Sequence, residues 1–112
     1  MTIYRATSLH FGAIEQGAML VSFEWSDPLY GVEGLDVDVD GFCSRKMPIR
    51  SGKGPLEIIH FRRDSIALKF PPVLAEQLEL DEEIEISFTI TDDEFNSLGI
   101  VVDFIRLGSA RT

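Results

Sequence analysis

Three stretches of strict apolar/polar alternation constrain this chain more than any other feature. From 82 to 90, Ile84, Ile86, Phe88 and Ile90 point one way while Glu83, Glu85, Ser87 and Thr89 point the other, as in a strand with one buried and one wet face. Met19, Val21, Phe23 and Trp25 form a second such face opposite Ser22 and Glu24, and Leu35, Val37 and Val39 a third opposite Asp36, Asp38 and Asp40. Two further runs, Leu56–Phe61 and Ser65–Phe70, flank Arg62-Arg63-Asp64, a short polar connection that suits a hairpin. The run from Ile3 to Phe11 carries a fainter strand signal, which Gly12 or Gly17 would end.

Helical spacing appears only in the C-terminal half. Pro71-Pro72 leaves the chain extended and then supplies a first-turn proline, after which Val73, Leu74, Gln77 and Leu78 recur for about two turns. Thr91-Asp92-Asp93-Glu94 reads as a capping box whose acids complement the positive end of a helix dipole. Phe95, Leu98, Val102 and Ile105 then make one stripe, while Gly99 and the β-branched run Ile100-Val101-Val102 leave a strand over 99–105 as the alternative to a helix. Strands followed by helices predict an α+β domain, with a mostly antiparallel β-sheet and two helices in the C-terminal half packed on one face.

Length limits this to a single domain over residues 1–112, since a chain of this size can bury one core without disulfide or metal staples. No apolar run approaches the ~18 residues of a membrane span, and Met1-Thr2-Ile3-Tyr4-Arg5 lacks the apolar stretch of a signal peptide, so a cytoplasmic protein is expected. The single cysteine, Cys43, agrees with a reducing compartment. A net charge of −9 argues against a general nucleic-acid coat and allows a cationic partner. That charge is unevenly spread. Residues 42–71 hold seven of the ten basic residues, whereas 32–41 and 72–95 are acidic, so faces of opposite sign are expected.

Several constellations carry candidate chemistry. Asp36-Val37-Asp38-Val39-Asp40-Gly41 reproduces the first six positions of a calcium loop, but the twelfth falls on Met47 and no helix flanks it. A solvated acidic strand is the plainer reading, with a calcium-binding module as the alternative. Arg45–Pro55 reads as a mobile surface loop, and its Ser51-Gly52-Lys53-Gly54 lacks the Walker spacing of a phosphate cradle. No family signature surrounds Cys43 or His60, and two histidines with one cysteine are a poor zinc inventory, so no catalytic residue, cofactor or metal is assigned. His10 and His60 read as structural histidines, and Trp25 as a packing residue at the end of its strand.

The order of these features also carries information. The acidic strand, the Gly-containing loop and the hairpin lead into Leu74-Ala75-Glu76-Gln77-Leu78-Glu79-Leu80, then Asp81-Glu82-Glu83-Ile84-Glu85-Ile86-Ser87-Phe88 and Asp92-Asp93-Glu94-Phe95-Asn96-Ser97-Leu98. This succession resembles the immunity protein 10 family of bacterial polymorphic toxin systems over roughly residues 18–105. The resemblance implies a non-enzymatic protein that neutralises a cognate toxin domain by occluding its active surface. Combined with the charge, it makes Asp36, Asp38, Asp40, Glu83 and Glu85 the candidate contacts for a toxin domain with a basic surface. An interaction or structural subunit of unrelated role is the competing reading.

Overall fold

The computed structural model describes residues 2–13, 19–29, 31–45 and 49–110. Among them eight strands form one sheet: β1 (Thr2–Ala13), β2 (Met19–Asp27), β3 (Gly31–Asp38), β4 (Phe42–Arg45), β5 (Arg50–Lys53), β6 (Glu57–Arg62), β7 (Ser65–Lys69) and β8 (Glu83–Ser87). Helix α1 (Pro72–Leu78) joins β7 to β8, and α2 (Asp92–Ala110) follows β8. The strand order is β5-β4-β3-β2-β1-β8-β7-β6, antiparallel throughout except where β1 lies parallel to β8. The expected α+β architecture is the one observed. No helix among the described residues is long and apolar enough to cross a membrane.

The inner face of the sheet carries the predicted alternation. Val21, Phe23 and Trp25 of β2, Leu35 and Val37 of β3, and Ile84 and Ile86 of β8 are buried in one cluster with Leu74 and Leu78 of α1 and Leu98, Val102 and Ile105 of α2. The central strand β1 is also the one with the faintest sequence pattern, and a bulge explains why. Its pairing with β2 shifts register between Ala6 and Ser8, so Thr7 is an extra residue and the inward set changes from Tyr4 and Ala6 to Leu9. A second shift, between Ile58 and His60 on β6, turns Ile59 outward.

Both helix starts follow their sequence signals. The Thr91 N–H donates to Glu94 Oε1 at 3.0 Å and the Glu94 N–H to Thr91 Oγ1 at 3.2 Å, closing the capping box and holding the Glu94 carboxyl below its usual range. From there α2 runs unbroken through Gly99 to Ala110, so residues 99–105 are helical and the strand alternative is not adopted. Tertiary packing overrides propensity there, because Leu98, Val101, Val102 and Ile105 all insert into the core. Pro71 is extended and α1 starts at Pro72, as the proline pair predicts.

One expectation needs correction. Residues 50–53 of the presumed mobile loop are the edge strand β5, paired with β4 from Phe42↔Lys53 to Arg45↔Arg50, while Lys46 and Met47 lie outside the described residues. Helix α1 covers the inner side of this edge. A Cβ on Gly52 would meet Leu74 Cδ1 at 2.8 Å and crowd the Gln77 side-chain oxygen, so β5 and α1 can approach only because no side chain stands there.

Two predictions follow from this packing. Gly52→Ala should push α1 off β5 and lower the stability measured by urea unfolding by about 1–3 kcal/mol, whereas the exposed Ile49→Ala should change it by less than about 0.5 kcal/mol. Cys43, fully buried on β4, has its thiol pushed from 9.0 up to about 12, chiefly by burial and secondarily by Asp38. The folded state holds the neutral thiol, so its contribution to stability is complete below pH 9 and declines as pH rises from 9 toward 12. Iodoacetamide should leave Cys43 unmodified in native buffer and modify it in urea. The unfolding midpoint of Cys43→Ala should fall less than that of the parent between pH 9 and 11.

Candidate partner-binding face

Alternation that buries Leu35 and Val37 also turns Glu33 inward, where it is completely buried. Its carboxylate accepts from Arg45 at 3.0 Å and from Arg50 at 3.2 Å, two guanidiniums brought opposite each other by the β4–β5 pairing. A buried carboxylate of this kind is tolerated only with such partners. Arg45 also donates from Nη1 to the carbonyls of Leu78 and Glu79, at 3.2 and 3.1 Å, which satisfies the C-terminal end of α1 and meets the negative end of its dipole. Glu79 is left-handed there (φ 55°), an arrangement that costs a non-glycine residue about 1 kcal/mol or more, and its carboxylate is held by Arg50 at 2.8 Å. Beside this network Tyr4 stacks on Trp25 with ring centroids 4.5 Å apart, and burial raises the phenol above its ordinary value. Trp25 is thus a core residue.

Pairing thins the expected basic face without removing it, since Lys53, Arg62 and Lys69 stay exposed. Arg45 and Arg50 are spent on Glu33 and Glu79, and Arg63 pairs with Asp92 at 2.8 Å while lying over the Phe95 ring. Counting charge along the chain could not show it, but strand parity places Glu33 in the Leu35–Val37 face.

The outer face of the sheet is open to solvent. Across β1 to β5 one row of paired positions runs His10, Ser22, Asp36, Ser44 and Ser51. Ser22 donates its hydroxyl to Asp36, and His10 sits 2.8 Å from Glu24 on the next row. Beside Asp36, Asp38 closes the turn into β4 by accepting the N–H groups of Asp40 and Phe42, both at 2.9 Å. Leu20, Asp36, Asp38, Phe42 and Ser44 together line a depression of about 260 Å³. Phe42 is 45% exposed at its rim. Among the described residues no cation pairs with Asp36, Asp38 or Asp40.

The five candidate acids do not form one patch. Asp36 and Asp38 share the depression, and exposed Asp40 stands at the turn beyond it. Glu83 and Glu85 are on the same face but at the other end of β1: Asp36 is level with His10, while Glu85 is level with Ile3, seven residues or roughly 23 Å along the strand. Glu85 is also paired, 3.2 Å from His60. Nor do Cys43 and His60 meet, since Cys43 is on the inner face of β4 and His60 pairs outward on β6 at the far side of the sheet. Among the described residues no group of three or more His, Cys, Asp or Glu converges as a metal site, and the Asp38 carboxylate is committed to backbone N–H groups. Sequence reasoning missed Phe42 and Leu20, which belong to no alternating run of acids but flank one in the folded sheet.

Comparison with protein-family models, curated proteins and solved structures finds no match for this chain.

Removing one partner from the Glu33 network should be costly. Glu33→Ala leaves two guanidiniums facing each other and should lower stability by ~3–5 kcal/mol in urea unfolding. Arg45→Met should also destabilise, and the double variant should lose clearly less than the two single losses added together, because the interaction is shared. Strict additivity would show that the pair is not coupled.

Proposed function

We propose that this protein is a non-enzymatic immunity protein that neutralises a cognate toxin domain by covering a basic surface with the outer face of β2, β3 and β4. The observation that carries this reading is the depression in which exposed Phe42 stands beside the carboxylates of Asp36 and Asp38, which accept hydrogen bonds but have no cationic partner among the described residues. An aromatic anchor next to free charge is the chemistry of a protein-binding centre, with the aromatic supplying buried area and the acids steering encounter. The order of sequence features, which resembles that of the immunity protein 10 family, supports the same role. Occlusion requires no nucleophile or proton donor from the inhibitor, so the separation of Cys43 from His60 is compatible with it.

The test is co-expression with a candidate toxin domain taken from a gene neighbouring this one. Cells should survive with the parent protein, and equal killing with and without it would refute the reading. The triple variant Asp36→Asn, Asp38→Asn, Asp40→Asn keeps the side-chain oxygen that accepts the Asp40 and Phe42 N–H groups while removing the charge. It should bind the toxin domain roughly tenfold more slowly at low salt and with a shallower dependence on ionic strength. An unchanged salt slope in stopped-flow binding would show that the toxin docks elsewhere.

A further inference from the structure

A soluble helix packed on a sheet normally carries one apolar stripe, and α2 carries two. Leu98, Val101, Val102 and Ile105 fill the core, while Ile100, Phe104 and Leu107 recur at i, i+4 and i+7 on the side turned to solvent, each about half exposed. The second stripe spans about 10 Å of helix at 1.5 Å per residue. It continues into a groove of about 160 Å³ bounded by Val39, Asp40, Phe104, Leu107 and Gly108, where the end of α2 passes the turn between β3 and β4. Gly108 permits that approach, because a Cβ there would lie 2.8 Å from the Val39 carbonyl oxygen.

Among the described residues acids outnumber cations around this stripe, with Lys53 lining the neighbouring pocket that Asp40 and Gly108 share. Asp40 lies on the groove wall, and Asp93 and Asp103 are exposed positions of the same helical side as Ile100. None of the three has an ion-pair partner among the described residues. Arg106 stands on the flank of the helix, too far round to neutralise all three. A second copy of this chain, itself at −9, would bring like charges together on such a surface.

We propose that the Ile100–Phe104–Leu107 stripe and the adjoining Asp40 groove are a docking site for a cationic amphipathic helix of a partner protein. The partner's apolar side chains, spaced i, i+3 or i+4 and i+7, pack along the stripe, and its flanking Lys or Arg side chains meet Asp40, Asp93 and Asp103. The surface meets the outer sheet face only at the β3–β4 turn, and Asp36, which lines the depression and not the groove, tells the two readings apart.

The probe is a synthetic helical peptide of about 18 residues, with Leu at those spacings and Lys elsewhere, titrated by fluorescence anisotropy into the full chain. A matched peptide with Glu in place of Lys is the control. Saturable one-to-one binding of the Lys peptide is expected, with none of the Glu peptide. Affinity should fall at least tenfold in Phe104→Ser and about threefold in Asp40→Asn, while Asp36→Asn leaves it unchanged. Because Phe104 is exposed, circular dichroism should show Phe104→Ser folded. Absence of binding, equal binding of both peptides, or binding that survives Phe104→Ser would overturn the proposal. So would loss of binding in Asp36→Asn, which would move the contact to the sheet face. A concentration-dependent dimer in sedimentation, abolished by Phe104→Ser, would make a second copy the occupant instead.

Discussion

The rest of this structure depends on one buried carboxylate. Glu33 is completely shielded from water, and its environment is acceptable only because β4 and β5 deliver Arg45 and Arg50 to it. Those arginines in turn hold the end of α1, through the Leu78 and Glu79 carbonyls and the Glu79 carboxylate. A single network therefore ties the edge of the sheet, the turn that ends α1 and the strand below them. It also gives a physical reason for a left-handed glutamate at a helix terminus where glycine is the usual choice, since no glycine could answer Arg50.

How much of this was legible depends on whether a residue's role follows from its neighbours in sequence or from its neighbours across strands. Alternation in β2, β3 and β8 placed the inner face, and the Thr91–Glu94 capping box placed the start of α2, because both signals are local. The central strand β1 gave a faint pattern because Thr7 shifts its phase halfway along, and a period-2 search penalises a bulge as it would a loop. Strand β5 was hidden for another reason. Its Gly and Ser residues read as loop, yet the glycine is there to admit α1.

Charge shows the same division. Summed along the chain, residues 42–71 form a basic segment, but folding sends two of its arginines into pairs with Glu33 and Glu79 and a third to Asp92. The acids of 36–40 keep their charge free, because strand parity points Asp36 and Asp38 outward and leaves Asp40 at the turn. Opposite charges from separate segments meet in the fold, as Glu33 meets Arg45 and Glu79 meets Arg50, whereas like charges on one wet face persist. Exposed Lys53, Arg62 and Lys69 keep part of the basic segment at the surface.

The turn between β3 and β4 joins the two surfaces argued to face partners. Asp38 contributes to the depression on the outer sheet face, and two residues later Asp40 contributes to the groove beside α2, on the side of the sheet that carries the helices. The chain can serve both because it reverses at Gly41, whose positive φ of 88° and close approach to the Gly54 carbonyl, 2.6 Å from where a Cβ would stand, exclude any side chain. The Gly54 N–H bonds back to the Gly41 carbonyl at 3.3 Å, so the turn is anchored to the segment that follows β5. A rigid reversal of this kind fixes the spacing between the two acids. Charge at one surface is then set by the same few backbone bonds that set it at the other, and neither acid can be repositioned without disturbing both.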